Sequence, residues 1–163
     1  MSTSCKVLIA DKMSGEAETI LRERGIEVDV ITGMVPAALL DSIGDYDGLL
    51  IRSSTTVTAD VLAAATRLKL IGRAGIGVDN VDVAAATARG VVVMNTPFGN
   101  AVTTAEHAIA MMMALARQIA SADRSTRSGK WEKSRFVGME LAGKTLGLVG
   151  CGNIGSIVAS RAQ

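Results

Sequence analysis

The chain has 163 residues, of which 48% are hydrophobic and 20% charged, and its formal net charge at pH 7 is +1. This composition is typical of a folded protein with a packed core and excludes a mainly disordered chain. The near-zero net charge and the small aromatic content provide neither a basic surface nor a base-stacking platform, so we expect no nucleic-acid partner. The aromatic residues are Tyr46, Phe98, Trp131 and Phe136.

The cellular compartment is predicted from what the chain lacks. The longest uncharged apolar stretch, residues 108–116, is too short to cross a bilayer, and the start MSTSCKVLIAD does not have the pattern of a signal peptide. We therefore expect a cytoplasmic protein with no membrane partner. Cys5 and Cys151 are too few for a disulfide framework or a zinc site, and we expect both to be buried, reduced thiols.

The first part of the chain alternates between strand-like and helix-like patterns. Short apolar runs predict five strands, at residues 6–10, 26–31, 48–51, 68–72 and 91–94. Helical patterns lie between them, at residues 14–24, 35–43, 58–67 and 81–89. Five strands separated by four helices predict an α/β fold with a doubly wound, flavodoxin-like parallel sheet over residues 1–97.

Residues 98–163 predict a second, incomplete domain. After the turn cluster NTPFGN, the stretch from Ala101 to Gly129 is expected to form one long helix with a Met-rich apolar face that packs between domains or subunits. His107, in the middle of that helix, is expected to be packed or interfacial rather than catalytic. Residues 130–144 are predicted to be irregular, residues 145–150 to form a strand, and a helix to begin near Asn153. One strand and one helix cannot bury their own apolar faces, so this region is only the first part of a Rossmann domain.

Polar side chains follow three of the predicted strands at the point where each ends. Arg52-Ser53-Ser54-Thr55 follows the third strand, Arg73-Ala74-Gly75-Ile76-Gly77 follows the fourth, and Asn95-Thr96 follows the fifth. The carboxyl ends of parallel strands meet at one edge of a sheet. Guanidinium groups beside free backbone N–H groups predict a site there for a small anion. The alternative is that both arginines pair with surface acids.

A glycine pattern follows the last predicted strand. Gly150, Gly152 and Gly155 have the spacing G-x-G-x-x-G and open a helix, the context in which this pattern binds a dinucleotide. The helix N-terminus would face the pyrophosphate. The acid that binds the ribose is expected about 20 residues further on, past Gln163.

Several motifs in order resemble one family, the NAD-dependent D-2-hydroxyacid dehydrogenases. They are RSSTTVTADVL, GRAGIGVDNVD, GVVVMNTPFGN, TAEHAIAMMMALAR, GKWEKSRFVGMEL and GKTLGLVGCGNIG, and together they cover essentially the whole chain. The resemblance implies a first domain that binds substrate and a second that binds NAD. It also implies a homodimer formed through the helix that starts near Ala101.

The resemblance also implies the role of each matching residue. The substrate would be bound by Arg52, Ser53, Arg73, Ala74, Gly75 and Asn100, with Arg135 reaching the site of the neighbouring subunit. The cofactor would be bound by Gly150, Gly152, Asn153, Ile154 and Gly155, with Ile76 and Thr104 near the nicotinamide.

The implied reaction is the NAD-dependent oxidation of a phosphorylated 2-hydroxyacid, 3-phosphoglycerate, on the way to serine. The catalytic arginine, glutamate and histidine of the family match no position before Gln163, so the chain alone is expected to be inactive. Two alternatives stay open. One is a non-catalytic dimerising or binding module, and the other is a dehydrogenase for another 2-hydroxyacid, such as glyoxylate or hydroxypyruvate.

Overall fold

A computed structural model describes residues 5–163, which form two compact units, one up to Gly99 and one from Asn100 to Gln163. The prediction that the start of the chain is not a signal peptide concerns in part residues 1–4, which lie outside the described residues. None of the helices in the described part is long and apolar enough to cross a membrane. The different roles predicted for the two parts of the chain stay predictions.

The first unit is built on a parallel sheet. Its strands are β1 (Lys6–Ile9), β2 (Glu27–Val30), β3 (Gly48–Ile51), β4 (Leu70–Arg73) and β5 (Val92–Asn95). They pair in the order β2-β1-β3-β4-β5, and every neighbouring pair is parallel. This is the flavodoxin-like strand order, so the predicted fold is confirmed. The third strand has the predicted ends, and the ends of the other four differ from the predicted ones by at most two residues.

The helices of this unit follow the strands as the sequence pattern predicted. They are α1 (Gly15–Glu23), α2 (Pro36–Ser42), α3 (Ala59–Ala64) and α4 (Val83–Ala88), with a 3₁₀ turn at Ile43–Asp45. Ser14, Thr58 and Asp82 begin three of them, since each side chain accepts a hydrogen bond from a backbone N–H in the first turn. Just beyond α1, Gly25 adopts φ +76°, the left-handed conformation that the predicted helix end requires.

The core lies on the three central strands. Leu8, Leu49 and Ile71 occupy β1, β3 and β4, and each is fully buried. Buried side chains of the helices complete the same cluster. Because these strands are fixed by their packing, the loops at their carboxyl ends are held on a rigid support.

A charged cluster closes the amino edge of the sheet. The buried Asp47 carboxylate accepts hydrogen bonds from the backbone N–H of Lys6 (3.1 Å) and from Arg67 Nη2 (2.7 Å), and it lies 3.3 Å from Lys69 Nζ. The Lys6 N–H bond and the two cations lower the pKa of Asp47. Hydrogen bonds from Lys6 Nζ and from the Tyr46 hydroxyl lower the pKa of Asp29 in the same way.

The lowered pKa values predict how acid affects the first unit. Above the ordinary value of 3.8, Asp47 and Asp29 contribute fully to the free energy of unfolding, and this contribution is lost as the pH falls through the lowered folded-state pKa values. Urea unfolding followed by circular dichroism should therefore show falling stability between about pH 5 and pH 2.

Asp47→Asn tests the source of that acid sensitivity. It should be less stable than the wild type at neutral pH, because Arg67 and Lys69 lose their anionic partner. It should also lose less stability on acidification. The exposed residue Asp41 offers a matched control, Asp41→Asn. An acid profile of Asp47→Asn that coincides with the wild-type profile would contradict the assignment.

The second unit is helical among the described residues. It contains α5 (Ala101–Ala116), α6 (Ile119–Arg127), a 3₁₀ turn at Lys133–Arg135, and α7 (Asn153–Arg161), and α5 packs against α7. The Arg161 guanidinium on α7 lies 3.0 Å from the Glu106 carboxylate on α5. The helix predicted from about Asn153 is confirmed.

The prediction of one long helix up to Gly129 is wrong, because the chain turns between α5 and α6. Gln118 adopts the left-handed conformation (φ 54°). The Ala116 carbonyl accepts a hydrogen bond from the Met139 N–H (2.8 Å), and Gly138 packs directly on that carbonyl with φ +65°. The segment around Gly138 therefore satisfies the end of α5, and a side chain at Gly138 would collide with it.

The predicted strand at residues 145–150 is not formed. A strand is stabilised by pairing, and every strand of the described residues belongs to the sheet of the first unit. Leu146, Leu148 and Val149 are exposed.

Two burial predictions are also wrong. Cys5 and Cys151 are both exposed free thiols, because one precedes β1 and the other lies within the glycine turn. His107 is exposed on α5 and not packed within its unit, so only the interfacial part of its prediction stays open.

Candidate functional site

The two arginines of the predicted anion site lie on neighbouring strands. Arg73 is the last residue of β4 and pairs in register with Ile51, the last residue of β3, which Arg52 directly follows. Arg52 is exposed and Arg73 is half-buried. Both therefore lie at the carboxyl edge of the sheet, as the strand-end pattern predicted.

Neither arginine makes an ion pair with a carboxylate among residues 5–163, although eight ion pairs form elsewhere in those residues. Arg52 Nη1 instead donates to the Lys12 carbonyl (3.4 Å), and Arg73 Nε donates to Asn80 Oδ1 (3.3 Å). The alternative that both arginines pair with surface acids is thus wrong. Most of the donors of two positive side chains stay available for an anion at this edge.

The loop after β4 is shaped around the Arg73 guanidinium. A Cβ atom at Gly75 would lie 2.9 Å from Arg73 Cζ, closer than real side chains approach. Because glycine has no side chain, the Arg73 guanidinium can occupy this space beside Gly75.

The backbone N–H groups of that loop are not all free, contrary to the sequence prediction. Ala74 N–H donates to the Ile51 carbonyl (2.8 Å) and Gly75 N–H donates to the Arg73 carbonyl (2.9 Å). Among the described residues, the N–H groups of Ile76 and Gly77 have no acceptor. Backbone contacts to an anion would therefore come from these two, one or two positions further along than predicted.

The end of β5 fixes the other side of the loop. Asn95 Nδ2 donates to the Ile76 carbonyl (2.7 Å), and Thr96 N–H donates to the Gly75 carbonyl (3.0 Å). The polar residues after the fifth strand thus hold the loop at the sheet edge.

Sequence reasoning missed two residues that organise this edge. Asp11, two residues beyond the end of β1, is buried, and its carboxylate accepts hydrogen bonds from the backbone N–H groups of Arg52 (2.6 Å) and Thr55 (3.1 Å) and from the Thr55 hydroxyl (2.8 Å). Asn80 Nδ2 donates to the Arg52 and Thr55 carbonyls (2.7 and 2.6 Å). Asp11 could have been found in the same way as the arginines, since it is a polar residue that follows a strand. No sequence pattern points to Asn80.

The glycine turn lies in the second unit and leads into α7. Gly150 has φ +97°, and Gly155 packs on the Gly150 carbonyl so closely that a Cβ atom would collide with it. Gly152 is the residue before the helix, and the space that its Cβ would fill is empty. The first turn of α7 also has no side-chain cap. These features fit a pyrophosphate, which needs close approach to the backbone and unpaired N–H groups.

The other predicted site residues of this unit are spread over its elements. Asn153 and Ile154 begin α7, while Asn100 and Thr104 lie at the start of α5 and are exposed. The Asn100 side chain does not cap that helix.

Arg135 is partly engaged within its own turn. Its Nη1 lies 3.3 Å from the Glu132 carboxylate, and its guanidinium lies over the Phe136 ring (5.6 Å to the centroid). The Ser125 hydroxyl, which donates to Glu132 (2.7 Å), and Arg135 together lower the pKa of Glu132.

The predicted residues therefore form two groups. The first unit brings together Arg52, Ser53, Arg73, Ala74, Gly75 and Ile76, and the second holds Asn100, Thr104, Arg135, Gly150, Gly152, Asn153, Ile154 and Gly155.

Comparison with protein families decides which class of protein carries this arrangement. The sequence profile described as "D-isomer specific 2-hydroxyacid dehydrogenase, catalytic domain" matches residues 7–159. The chain belongs to this family. Its parallel sheet and glycine turn are those of a D-2-hydroxyacid dehydrogenase, as the motifs predicted.

Curated members of the family are similar along nearly the whole chain. D-3-phosphoglycerate dehydrogenase of Archaeoglobus fulgidus is 52% identical over 158 residues, covering 97% of this chain and 30% of the relative. The Homo sapiens enzyme of the same name is 49% identical, with the same coverage. The chain thus spans about 30% of the length of these D-2-hydroxyacid dehydrogenases.

A solved structure has the same fold. The NAD-dependent formate dehydrogenase of Staphylococcus aureus in complex with NAD superposes with a TM-score of 0.85 at 28% identity, covering 96% of this chain and 52% of that one. The family is generally NAD-dependent, and this neighbour holds NAD.

Proposed function

We propose that this D-2-hydroxyacid dehydrogenase chain carries the substrate-binding unit and the first part of the cofactor-binding unit of a D-3-phosphoglycerate dehydrogenase. Such an enzyme oxidises 3-phosphoglycerate to 3-phosphohydroxypyruvate with NAD, on the way to serine, and we place the reaction in the cytoplasm. The observation that carries the proposal is the pair of arginines, Arg52 and Arg73, which lie at one sheet edge and make no ion pair with a carboxylate of residues 5–163. The names of the relatives described above support the same substrate.

The substrate carries two anionic groups, a carboxylate and a phosphate. Arg52 and Arg73 supply one guanidinium for each, and guanidinium forks match the oxygen geometry of both groups. Ser53, exposed beside Arg52, adds a hydroxyl, and the N–H groups of Ile76 and Gly77 add backbone donors. Binding at this edge would hold the substrate on the rigid end of the sheet.

The glycine turn is assigned to NAD, which when bound supplies the acceptor for the hydride that leaves the substrate hydroxyl carbon. The open space at Gly152 admits the pyrophosphate, and the N–H groups at Asn153 and Ile154 bind its oxygens. Ile76 and Thr104 are assigned to the nicotinamide and Asn100 to the substrate.

The isolated chain is expected to form no NADH from 3-phosphoglycerate. Oxidation of the hydroxyl needs a general base, and the only histidine, His107, is exposed on α5 and does not match the catalytic histidine of the family.

A homodimer through α5 is the proposed assembly, with Arg135 reaching the site of the neighbouring subunit. Met111 and Leu115, four residues apart and therefore on the same face of this helix, are exposed, an apolar surface that a second subunit would cover. The same surface favours the second candidate function, a non-catalytic dimerising module. The two functions differ in whether the chain binds 3-phosphoglycerate.

Calorimetric titration of the chain with 3-phosphoglycerate and with glycerate tests the substrate. We expect 3-phosphoglycerate to bind about tenfold more tightly or better, because one charge-assisted contact to the phosphate is worth about 1.5–3 kcal/mol. Equal affinities would remove the argument for a phosphorylated substrate, and no binding of either would favour the dimerising module. NADH formation, followed spectrophotometrically, should stay at background.

A further inference from the structure

A small polar network connects the two arginines of the sheet edge. It consists of Asp11 after β1, Arg52 and Thr55 in the loop after β3, Arg73 at the end of β4, and Asn80 in the loop before α4. Asp11 is only 4% exposed. Neither Asp11 nor Asn80 follows from the family motifs as a ligand of the substrate.

Asp11 and Asn80 bind opposite sides of the same loop. Asp11 accepts from the N–H groups of Arg52 and Thr55, whereas Asn80 donates to the carbonyls of these same two residues. Four backbone groups of a surface loop are thereby satisfied by two side chains. The loop that carries Arg52 is thus held in one conformation without support from a regular ladder.

Asn80 also reaches the second arginine. Its Nδ2 is used by the loop of Arg52, and its Oδ1 accepts from Arg73 Nε (3.3 Å). The terminal Nη1 and Nη2 donors of Arg73 have no acceptor among residues 5–163 and are available for a ligand. One amide therefore fixes the backbone at Arg52 and the orientation of the Arg73 guanidinium together.

We propose that Asn80, with Asp11, is a positioning residue that pre-organises Arg52 and Arg73 for a ligand bearing two anionic groups. Long arginine side chains lose conformational entropy when they bind an anion. Because Asn80 already holds the Arg73 side chain in place, less entropy is lost on binding. The inference deepens the proposed function and rests on it, since it takes the arginine edge as the anion site.

A double-mutant cycle on the full 163-residue chain tests this role. The dissociation constant for 3-phosphoglycerate is measured by calorimetry for the wild type, Asn80→Ala, Arg52→Ala and Arg73→Ala, and for Asn80→Ala combined with each arginine variant. We expect Asn80→Ala to weaken binding about tenfold in the wild-type background, and by a clearly smaller factor in each arginine background, since Asn80 acts through those side chains.

Thr66→Ala is the matched control, because Thr66 also donates a side-chain hydrogen bond to a backbone carbonyl, that of Gly44, away from the arginine loops. It should leave the dissociation constant unchanged. Circular dichroism and thermal unfolding check that each variant folds. If Asn80→Ala does not fold, the isosteric Asn80→Asp replaces it. It keeps an oxygen acceptor for Arg73 but sets an oxygen against the two loop carbonyls, and it should also weaken binding.

The outcomes separate this inference from the proposed function. If Arg52→Ala and Arg73→Ala weaken binding but the Asn80 variants do not, the positioning role is overturned and the substrate site stands. An equal loss from Asn80→Ala in every background would make Asn80 a purely structural residue and would also overturn the role. If the wild type does not bind 3-phosphoglycerate, or if the arginine variants bind as the wild type does, the proposed function fails and the inference fails with it.

Discussion

Replacing Arg73 by alanine is expected to weaken binding of 3-phosphoglycerate by about thirtyfold, corresponding to about 2 kcal/mol for one lost charged hydrogen-bond partner. The effect should be large because no carboxylate among the described residues competes for this guanidinium. Arg73→Lys should recover little of the loss, although it keeps the charge. An ammonium group lacks the planar fork that binds two oxygens and the Nε donor that Asn80 accepts.

The control for Arg73→Ala is Arg89→Ala. Arg89 is exposed at the end of α4 and precedes β5, so it lies toward the opposite edge of the sheet. The variant removes the same charge from the same unit, and its affinity for 3-phosphoglycerate should match that of the wild type. An equal loss in both variants would mean that the chain attracts the anion by its general charge, and the assigned site would be wrong. Calorimetric titration at a fixed salt concentration measures both.

The sheet and its arginine edge could be predicted because both depend on local patterns. Short apolar runs that alternate with helical patterns allow few topologies, and the ends of parallel strands meet at one edge. The confirmed strand order places Arg52 and Arg73 on adjacent strands. Gly75, one of the residues that follow the fourth predicted strand, is the glycine on which the guanidinium packs.

The failures come from contacts between residues distant in the sequence. The break after Ala116 depends on the Met139 N–H and on Gly138, about twenty positions further along, while the residues at the break itself include neither glycine nor proline. The strand predicted at residues 145–150 has the right composition but no pairing strand in its unit. Apolarity alone does not form a strand.

The role of Asn80 in the polar network of the site was beyond prediction for a similar reason. Asn80 acts through the loop of Arg52, 28 positions earlier, and through the side chain of Arg73. Its amide could equally have capped α4, a helix that Asp82 begins instead. The amides of Ala74 and Gly75 were predicted to be free because the loop is glycine-rich. The Ala74 N–H instead continues the pairing with β3 by donating to Ile51, and only the Gly75 N–H closes the turn, on the Arg73 carbonyl.

The glycine turn offers a second prediction with a large effect, since two of its glycines are required for different reasons. Gly155→Ala introduces a Cβ atom against the Gly150 carbonyl, which is backbone and cannot move aside without opening the turn. We expect the free energy of unfolding to fall by about 1–3 kcal/mol, the usual cost of overpacking. Thermal and urea unfolding of the second unit measure this change.

Gly152→Ala is the matched variant within the same turn. Its φ of −81° suits alanine and the Cβ would enter empty space, so the free energy of unfolding should fall by only about 0.5–1 kcal/mol, because alanine is less favourable than glycine directly before a helix. That empty space is where the pyrophosphate is proposed to approach, and the affinity for NAD should fall about thirtyfold through the loss of charge-assisted N–H contacts. Unfolding and NAD titration on the same samples separate the two effects. A Gly152→Ala protein that folds and binds NAD as tightly as the wild type would contradict this assignment, because the pyrophosphate would then not approach the backbone at Gly152.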